Sequence, residues 1–412
     1  MTPLNLEKRM KNAFDEKAKK VLSSVVGSSE SMPKVGIELE LGVFDENANP
    51  ATRQDVKDRK IAKELGHHQI EVVTDPIVIK SIEQFKESYF DDLSETLSKL
   101  SQKLSGVGSI PNLSLKDFEV TPNEEKYEKV PSFNNKRVSE EFKTLFPELD
   151  ARHVGLFNAL QLNVDCKSVD DAVDKLNKSL SISPYLVAIF GNAKYINSKE
   201  SGFKDCRVKV WEETHDTRNS VERNEDKEIR IGLPKRYFSS IEDYFARVSA
   251  HPFILDLEPA AFEIGIGLNW HDARIKFVEK PQGYLPLVEM RSLSAQQSTE
   301  EDVAATLMYI GLLEYESKLQ SMENLKFNRE SALKDGLEGV MIDDKGRFRS
   351  TLDVAKDKAL NAREGLLSLG YDARSVDLAL RPVYRILEEG KSPADRYSVN
   401  EISQMVKDSF RN

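Results

Sequence analysis

Two carboxylates separated by one apolar residue stand in Val35-Gly36-Ile37-Glu38-Leu39-Glu40-Leu41, a run with β-type alternation. In a strand, alternate side chains share a face, so Glu38 and Glu40 project together while Ile37, Leu39 and Leu41 face a core. Like charges side by side on one strand face repel, and an otherwise apolar strand gains nothing from them. A divalent cation removes that repulsion, because hard oxygen ligands suit Mg²⁺. A solvated strand face is the ordinary alternative for any single pair. Three further segments weigh against it. Leu287-Val288-Glu289-Met290-Arg291 puts Glu289 and Arg291 on one face, Gln69-Ile70-Glu71-Val72-Val73-Thr74 carries Glu71, and Ala159 to Asp165 places polar residues at alternate positions from Gln161 onward. Four strands, each polar on one side and apolar on the other, predict an antiparallel sheet with an acidic, metal-lined face.

The elements that must position this face are legible along the chain. Leu4 to Leu22 predicts a charged amphipathic helix, and Gly27 to Pro33 a turn-rich break before the first acidic strand. Ile82, Phe85, Tyr89, Leu93, Leu97, Leu100 and Leu104 recur at steps of three and four and predict a helix over 77–105. Gly106 to Asn135 reads as a loop crossing the mouth of the sheet. Helices are expected over 169–190 and 239–249, and mostly strands over 261–291. A capping box, Ser298-Thr299-Glu300-Glu301, opens another helix carrying Val303, Leu307, Ile310 and Leu313. Helical pattern then continues to Asn412, broken near Asp343–Lys345 and Gly370–Asp372. The expected organisation is an N-terminal helix over 1–30, a catalytic domain over 31–325, and a helical region over 326–412 packed on that domain.

Composition narrows the function. The chain has 412 residues, 31% of them charged, and a net charge of −10, which argues against nonspecific binding to nucleic acid or anionic membrane. No apolar run approaches the roughly 20 residues of a membrane span. Cys166 and Cys206 are too few for a disulfide framework, so a reducing cytoplasm is expected and both read as buried thiols. There is no phosphate loop, no dinucleotide fingerprint after a strand and no hydrolase elbow. Gly265-Ile266-Gly267 reads as a glycine pair inside an apolar strand, and His67-His68 as a surface pair without zinc-type partners.

The ordered series Gly36-Ile37-Glu38-Leu39-Glu40, Gln69-Ile70-Glu71, Gln161-Leu162-Asn163-Val164-Asp165 and Val288-Glu289-Met290-Arg291 resembles glutamate–cysteine ligase family 2 and its carboxylate–amine ligase relatives, in the glutamine synthetase-like superfamily. Between these points Gly191-Asn192-Ala193, Asp205 to Trp211 and Asp216-Thr217-Arg218 are similar to the family's small-residue turn, arginine-bearing segment and D-T-R. His271 to Pro281, Arg363-Glu364-Gly365-Leu366 and Glu388 to Ser392 extend the resemblance to roughly residues 30–400. It departs at Asp272-Ala273-Arg274-Ile275-Lys276, where relatives show N-G-T and an aromatic–Arg–aromatic run, and at Ser292-Leu293, where they often carry Gly and Ala.

The resemblance implies an α+β fold in which an antiparallel sheet curves into a funnel flanked by helices. ATP would enter at one mouth and the amino acid at the other, with two or more Mg²⁺ ions between. The implied activity is ATP-dependent ligation of a carboxylate to an amine through an acyl phosphate, glutamate to cysteine or another small amine. A phosphotransferase, or a member that binds nucleotide or amino acid without turnover, is the alternative on the same scaffold. By motif, Glu38, Glu40, Glu71 and Glu289 become metal carboxylates, with Gln161 and Asn163 adding neutral contacts. Arg291 would meet nucleotide phosphate and Arg207 a substrate carboxylate, while Arg218 would take either. Trp211 would line the substrate site and His271 the nucleotide. Against these roles, Arg207 and Arg218 could pair with Asp205, Glu212, Glu213 or Asp216, Trp211 could simply pack, and His271 could be a structural hydrogen-bonder. Homo-oligomerisation is left open.

Overall fold

The computed structural model describes residues 3–49, 51, 60–63, 68–98, 103–105, 145–146, 148–149, 151–196, 198–218, 220–225, 227–253 and 258–409. The expected loop from Gly106 to Asn135, and His67, lie outside these residues.

The centre is one antiparallel sheet built from β1 (Lys34–Phe44), β2 (Ile61–Lys63), β3 (Gln69–Val73), β4 (Ile77–Val78), β5 (Lys103–Ser105), β6 (Leu160–Asp165), and a hairpin near residue 280. Short strands β7 (Tyr195–Ile196), β8 (Lys199–Glu200), β9 (Ile231–Gly232) and β10 (Trp270–His271) precede that hairpin, which is β11 (Ala273–Lys280) and β12 (Gly283–Met290). The order is β11-β12-β6-β1-β3-β2, with β4 and β5 also pairing with β1. The four segments expected as polar-faced strands are β1, β3, β6 and β12, and they are neighbours.

Alternation sorts the two faces. Ile37, Leu39, Ile70, Val72, Leu160, Leu162, Ile275, Val288 and Met290 are buried in the main core, behind the sheet. Helix α1 (Pro3–Ser23) buries Met10, Phe14, Ala18 and Val21, a four-residue stripe. Helix α2 (Ile82–Ser98) buries Ile82, Phe85, Tyr89 and Leu93. The expected helix does not run on to 105: Lys103, Leu104 and Ser105 pair with Phe44, Val43 and Gly42, so sheet pairing overrides the helical spacing there. Helix α3 (Val169–Phe190) packs on β11 and β12 and contains Pro184. Proline cannot donate to the Leu180 carbonyl, and the Ser183 hydroxyl does so instead at 3.0 Å.

The expectation of strands throughout 261–291 is corrected at its start. Ala261–Gly267 is a helix, and Gly265 lies within it because a Cβ there would sit 2.7 Å from the Phe14 ring. This helix packs on α1 instead of pairing in the sheet, and the Phe14 ring leaves room only for glycine at 265. The Ser298 hydroxyl caps Thr299–Tyr315 by accepting from the Glu301 amide, but the capping box is half-formed, because the Glu301 carboxylate pairs with Arg385 and Arg396. The break at Asp343–Lys345 is the turn of a hairpin, β13 (Val340–Ile342) with β14 (Phe348–Ser350), where Asp343 accepts from the Lys345 and Arg347 amides. No helix among the described residues is long and apolar enough to cross a membrane. Cys166 and Cys206 are free and buried, and burial pushes the Cys166 thiol up to about 12.

Helix Thr299–Tyr315 crosses helix Thr351–Ser368 backbone to backbone. A Cβ on Gly311 would stand 2.1 Å from the Ala362 carbonyl oxygen, and one on Gly365 2.0 Å from that of Gly311. Neither neighbour is a flexible side chain, so the helices would have to separate. Gly311→Ala or Gly365→Ala is expected to destabilise by about 1–3 kcal/mol. The urea midpoint should fall at unchanged slope, and a wild-type midpoint in both variants would contradict the crossing.

Candidate functional site

Cross-strand register assembles the polar face. Glu38 lies opposite Gln161, Glu40 opposite Glu71, Glu289 opposite both Asn163 and Arg274 on its two sides, and Lys276 opposite Leu287. In a flat sheet β11 and β1, three strands apart, would be separated by roughly 14 Å. Yet the Lys276 Nζ is 2.9 Å from Glu38 Oε1. The sheet therefore curls, with the polar face concave.

Glu289 is the hub. It is fully buried, and its Oε1 accepts from Lys276 at 2.7 Å while Oε2 accepts from Arg291 at 2.7 Å and from Arg274. Burial alone would raise the Glu289 carboxyl, but Arg274, Arg291 and Lys276 outweigh it and hold it well below the usual carboxylate range. The network continues on both sides. Asn163 donates to Glu38 Oε1 at 2.9 Å, which also takes Lys276. Arg291 donates to Gln161 Oε1 at 2.9 Å, and Gln161 donates on to Glu40 Oε1 at 3.1 Å. The Ala159 amide serves Glu40 Oε2 at 2.7 Å.

This arrangement tests the expected metal ligands individually. Glu40 and Glu71 are directly opposed on neighbouring strands and offer hard carboxylate oxygens of the kind Mg²⁺ takes. That end fits Mg²⁺. The Glu289 end does not fit: three cationic side chains already surround a carboxylate with no solvent contact. Among the described residues, no three His, Cys, Asp or Glu side chains form a metal-holding group.

At the end of the face a cleft of about 590 Å³, counting its open mouth, is lined by Glu40, Gln161, Arg291, Arg207, Trp211, Trp270 and His271 among others. Arg207 and Trp211 come from a helix, Arg207–His215, that follows the Gly191–Ala193 turn. Arg207 is buried; its Nε donates to Ser294, and its Nη2 to the carbonyls of Arg291 and Leu293 at 2.8 and 3.1 Å. Its Nη1 makes no hydrogen bond among the described residues. The Trp211 ring lies 5.3 Å from Trp270 and 4.5 Å from His215, forming an aromatic wall.

The family described as Glutamate-cysteine ligase family 2 matches residues 34–409 of this sequence. The chain belongs to that family. A chloroplastic glutamate–cysteine ligase of Solanum lycopersicum is 23% identical over 316 residues, 71% of this chain and 56% of the relative. The chain thus spans little more than half the length of that relative. Among solved structures, glutamate–cysteine ligase of Francisella tularensis in complex with AMP has a TM-score of 0.61 at 13% identity, covering 92% of this chain and 89% of that one. A bifunctional glutathione synthetase of Pasteurella multocida has a TM-score of 0.51 at 11% identity, covering 97% and 54%. These likenesses show the fold, and the expected α+β class with a curled antiparallel sheet is borne out.

Within this family member, the residues named from sequence fall into three places. Glu38, Glu40, Gln161, Asn163, Glu289 and Arg291 are joined in the network, with Glu71 facing Glu40. Arg207, Trp211, His271 and Arg291 line the cleft. Arg218 is not among the cleft's lining residues: its guanidinium is forked onto Asp216 at 2.9 and 3.0 Å and donates to the Lys227 carbonyl. Sequence reasoning passed over Arg274 and Lys276, although their alternation on β11 matches that of Glu289 and Arg291 on β12. It also passed over Asp272, whose carbonyl accepts from the Arg291 amide at 2.8 Å and whose carboxylate takes a buried, forked pair from Arg329 at 2.7 and 2.9 Å. No local signal announces a partner 57 residues away.

His271 donates from Nε2 to the Ile229 carbonyl at 2.8 Å, and its Nδ1 is buried without a hydrogen-bond partner among the described residues. Burial drives its pKa from 6.5 down to about 4, so the ring is neutral. The unfolded chain therefore takes up this proton first as pH falls. The stability from neutral His271 is fully present above pH 6.5 and is lost towards pH 4, by about 3 kcal/mol. Unfolding free energies from urea titrations of wild type and His271→Gln between pH 7.5 and 4 should diverge by that amount, the wild type losing more. Parallel curves would mean the ring protonates equally in both states.

Proposed function

We propose that this chain is an ATP-dependent carboxylate–amine ligase of the glutamate–cysteine ligase type, acting on ATP, an amino acid such as glutamate and a small amine such as cysteine. The observation that carries the reading is a preassembled charge network abutting a cleft with an arginine donor still available, in a member of this family. In the reaction the acid's carboxylate oxygen takes the γ-phosphoryl group and ADP leaves. The amine nitrogen then attacks the acyl carbon, phosphate departs with its bridging oxygen, and the nitrogen loses a proton.

Phosphoryl transfer asks for alignment and charge neutralisation more than for covalent help. Arg291, fixed by Glu289 and Gln161, turns toward the cleft and supplies a rigid planar cation for phosphate oxygens. Its orientation is set before substrate arrives, which is where electrostatic stabilisation is most effective. Arg207, anchored through Nε and Nη2, presents Nη1 to a substrate carboxylate. Trp211 and Trp270 offer an apolar wall for the side chain or adenine. The AMP in the Francisella tularensis structure supports adenine nucleotide use in this fold. Mg²⁺ would be held at the Glu40–Glu71 end and would supply further neutralisation of the triphosphate. His271, neutral and committed through Nε2, would orient nucleotide rather than shuttle protons.

The deciding assay is ADP release with Mg²⁺ across a panel of amino acids and amines, with product identified by mass. ADP should require both acid and amine and be matched by an amide. ADP from acid alone with a phosphorylated product would favour a phosphotransferase, and ATP binding without ADP for glutamate and every amine would end the ligase reading. Glu38→Gln should lower kcat at least about 100-fold while melting near wild type, since Glu38 is only part-buried. Glu289→Gln should instead unfold more easily by about 3–5 kcal/mol, because it strands three cations.

A further inference from the structure

The Lys276 ammonium sits between carboxylates from two different strands, 2.9 Å from Glu38 Oε1 and 2.7 Å from Glu289 Oε1. Asn163 completes the same Glu38 oxygen at 2.9 Å. Two carboxylate oxygens from different strands gathered on one positive centre are hard donors of the kind a divalent ion would draw from these residues. Here the chain supplies the charge itself. Glu289 Oε2 is meanwhile taken by Arg274 and Arg291, so an entering ion would meet two guanidinium groups and the ammonium around a carboxylate sealed from solvent. Lys276 is three-quarters buried, with its side chain 26% exposed, and its Cα lies three strands from that of Glu38, so only the curl of the sheet delivers it there.

We propose that Lys276 is a built-in cation that replaces a divalent metal ion between Glu38 and Glu289. The site's metal binding is thereby confined to the Glu40–Glu71 end and to what a nucleotide brings with it. This does not depend on the ligase reading, because its test uses metal alone.

Mn²⁺ binding to the full chain, read from the electron paramagnetic resonance of free Mn²⁺ without nucleotide at about 0.15 M salt, decides it. Lys276→Met should bind one more Mn²⁺ per chain than wild type, or bind at least tenfold tighter, while Lys276→Arg keeps the wild-type count. Glu38→Gln in the wild-type background should leave the count unchanged, since no ion is held there. A Lys276→Met count and affinity equal to wild type, or loss of an ion in Glu38→Gln, overturns the proposal. Should Lys276→Met fail to fold by circular dichroism, the Glu38→Gln comparison still decides: an unchanged count supports the built-in cation and a lost ion refutes it.

Discussion

A carboxylate sealed from water with three cations around it is the constraint on which the rest of this molecule depends. An unpaired charge at Glu289 would be too costly to bury, and the pairing works only if the β11–β12 hairpin and the residue that follows it bring Arg274, Lys276 and Arg291 within reach of one centre. That demand fixes register, because sliding any strand by one residue would turn its charged side chains into the apolar core. It fixes curvature too, since Lys276 and Glu38 meet only across a concave face. Structure and chemistry meet at Arg291, which both pairs with Glu289 and lines the cleft.

Support for this face comes from behind and from the end. The apolar side of every central strand feeds the core shared with the helix Val169–Phe190, which is itself covered by Thr299–Tyr315 and Met322–Asp335. At the end of the sheet, Arg207 gathers the carbonyls of Arg291 and Leu293, so the backbone that carries Arg291 is tied from two directions, by Arg207 and by Asp272. Rigid backbone on both sides makes Arg291 a fixed donor rather than a searching one.

Much of this was readable from residue order. Alternation alone assigned β1, β3, β6 and β12 and the side on which each polar residue falls, because a period of two admits a single solution when one face is apolar. Where spacing misled, a distant contact had intervened. Leu104 continues a helical stripe but pairs with Val43, and the segment around Gly265 looks like a strand but is a helix packed on α1. The site itself was half legible. Carboxylates on one face suggested a metal, whereas the balancing charges on β11 arrive from a strand whose neighbour is known only once the hairpin is folded. Arg329 lay further out of sight, since nothing near residue 329 indicates that its counter-ion is Asp272.

The Asp272–Arg329 pair also sets how the polypeptide can be divided. Asp272 holds the Arg291 amide through its carbonyl and Arg329 through its carboxylate, so a chain cut short of residue 329 would leave a buried anion beside the cleft, with the Ser183 hydroxyl as the remaining side-chain hydrogen-bond donor to it among the described residues. A fragment ending with the sheet would lack that buried ion pair. The last quarter of the sequence is a keystone, not an appendage.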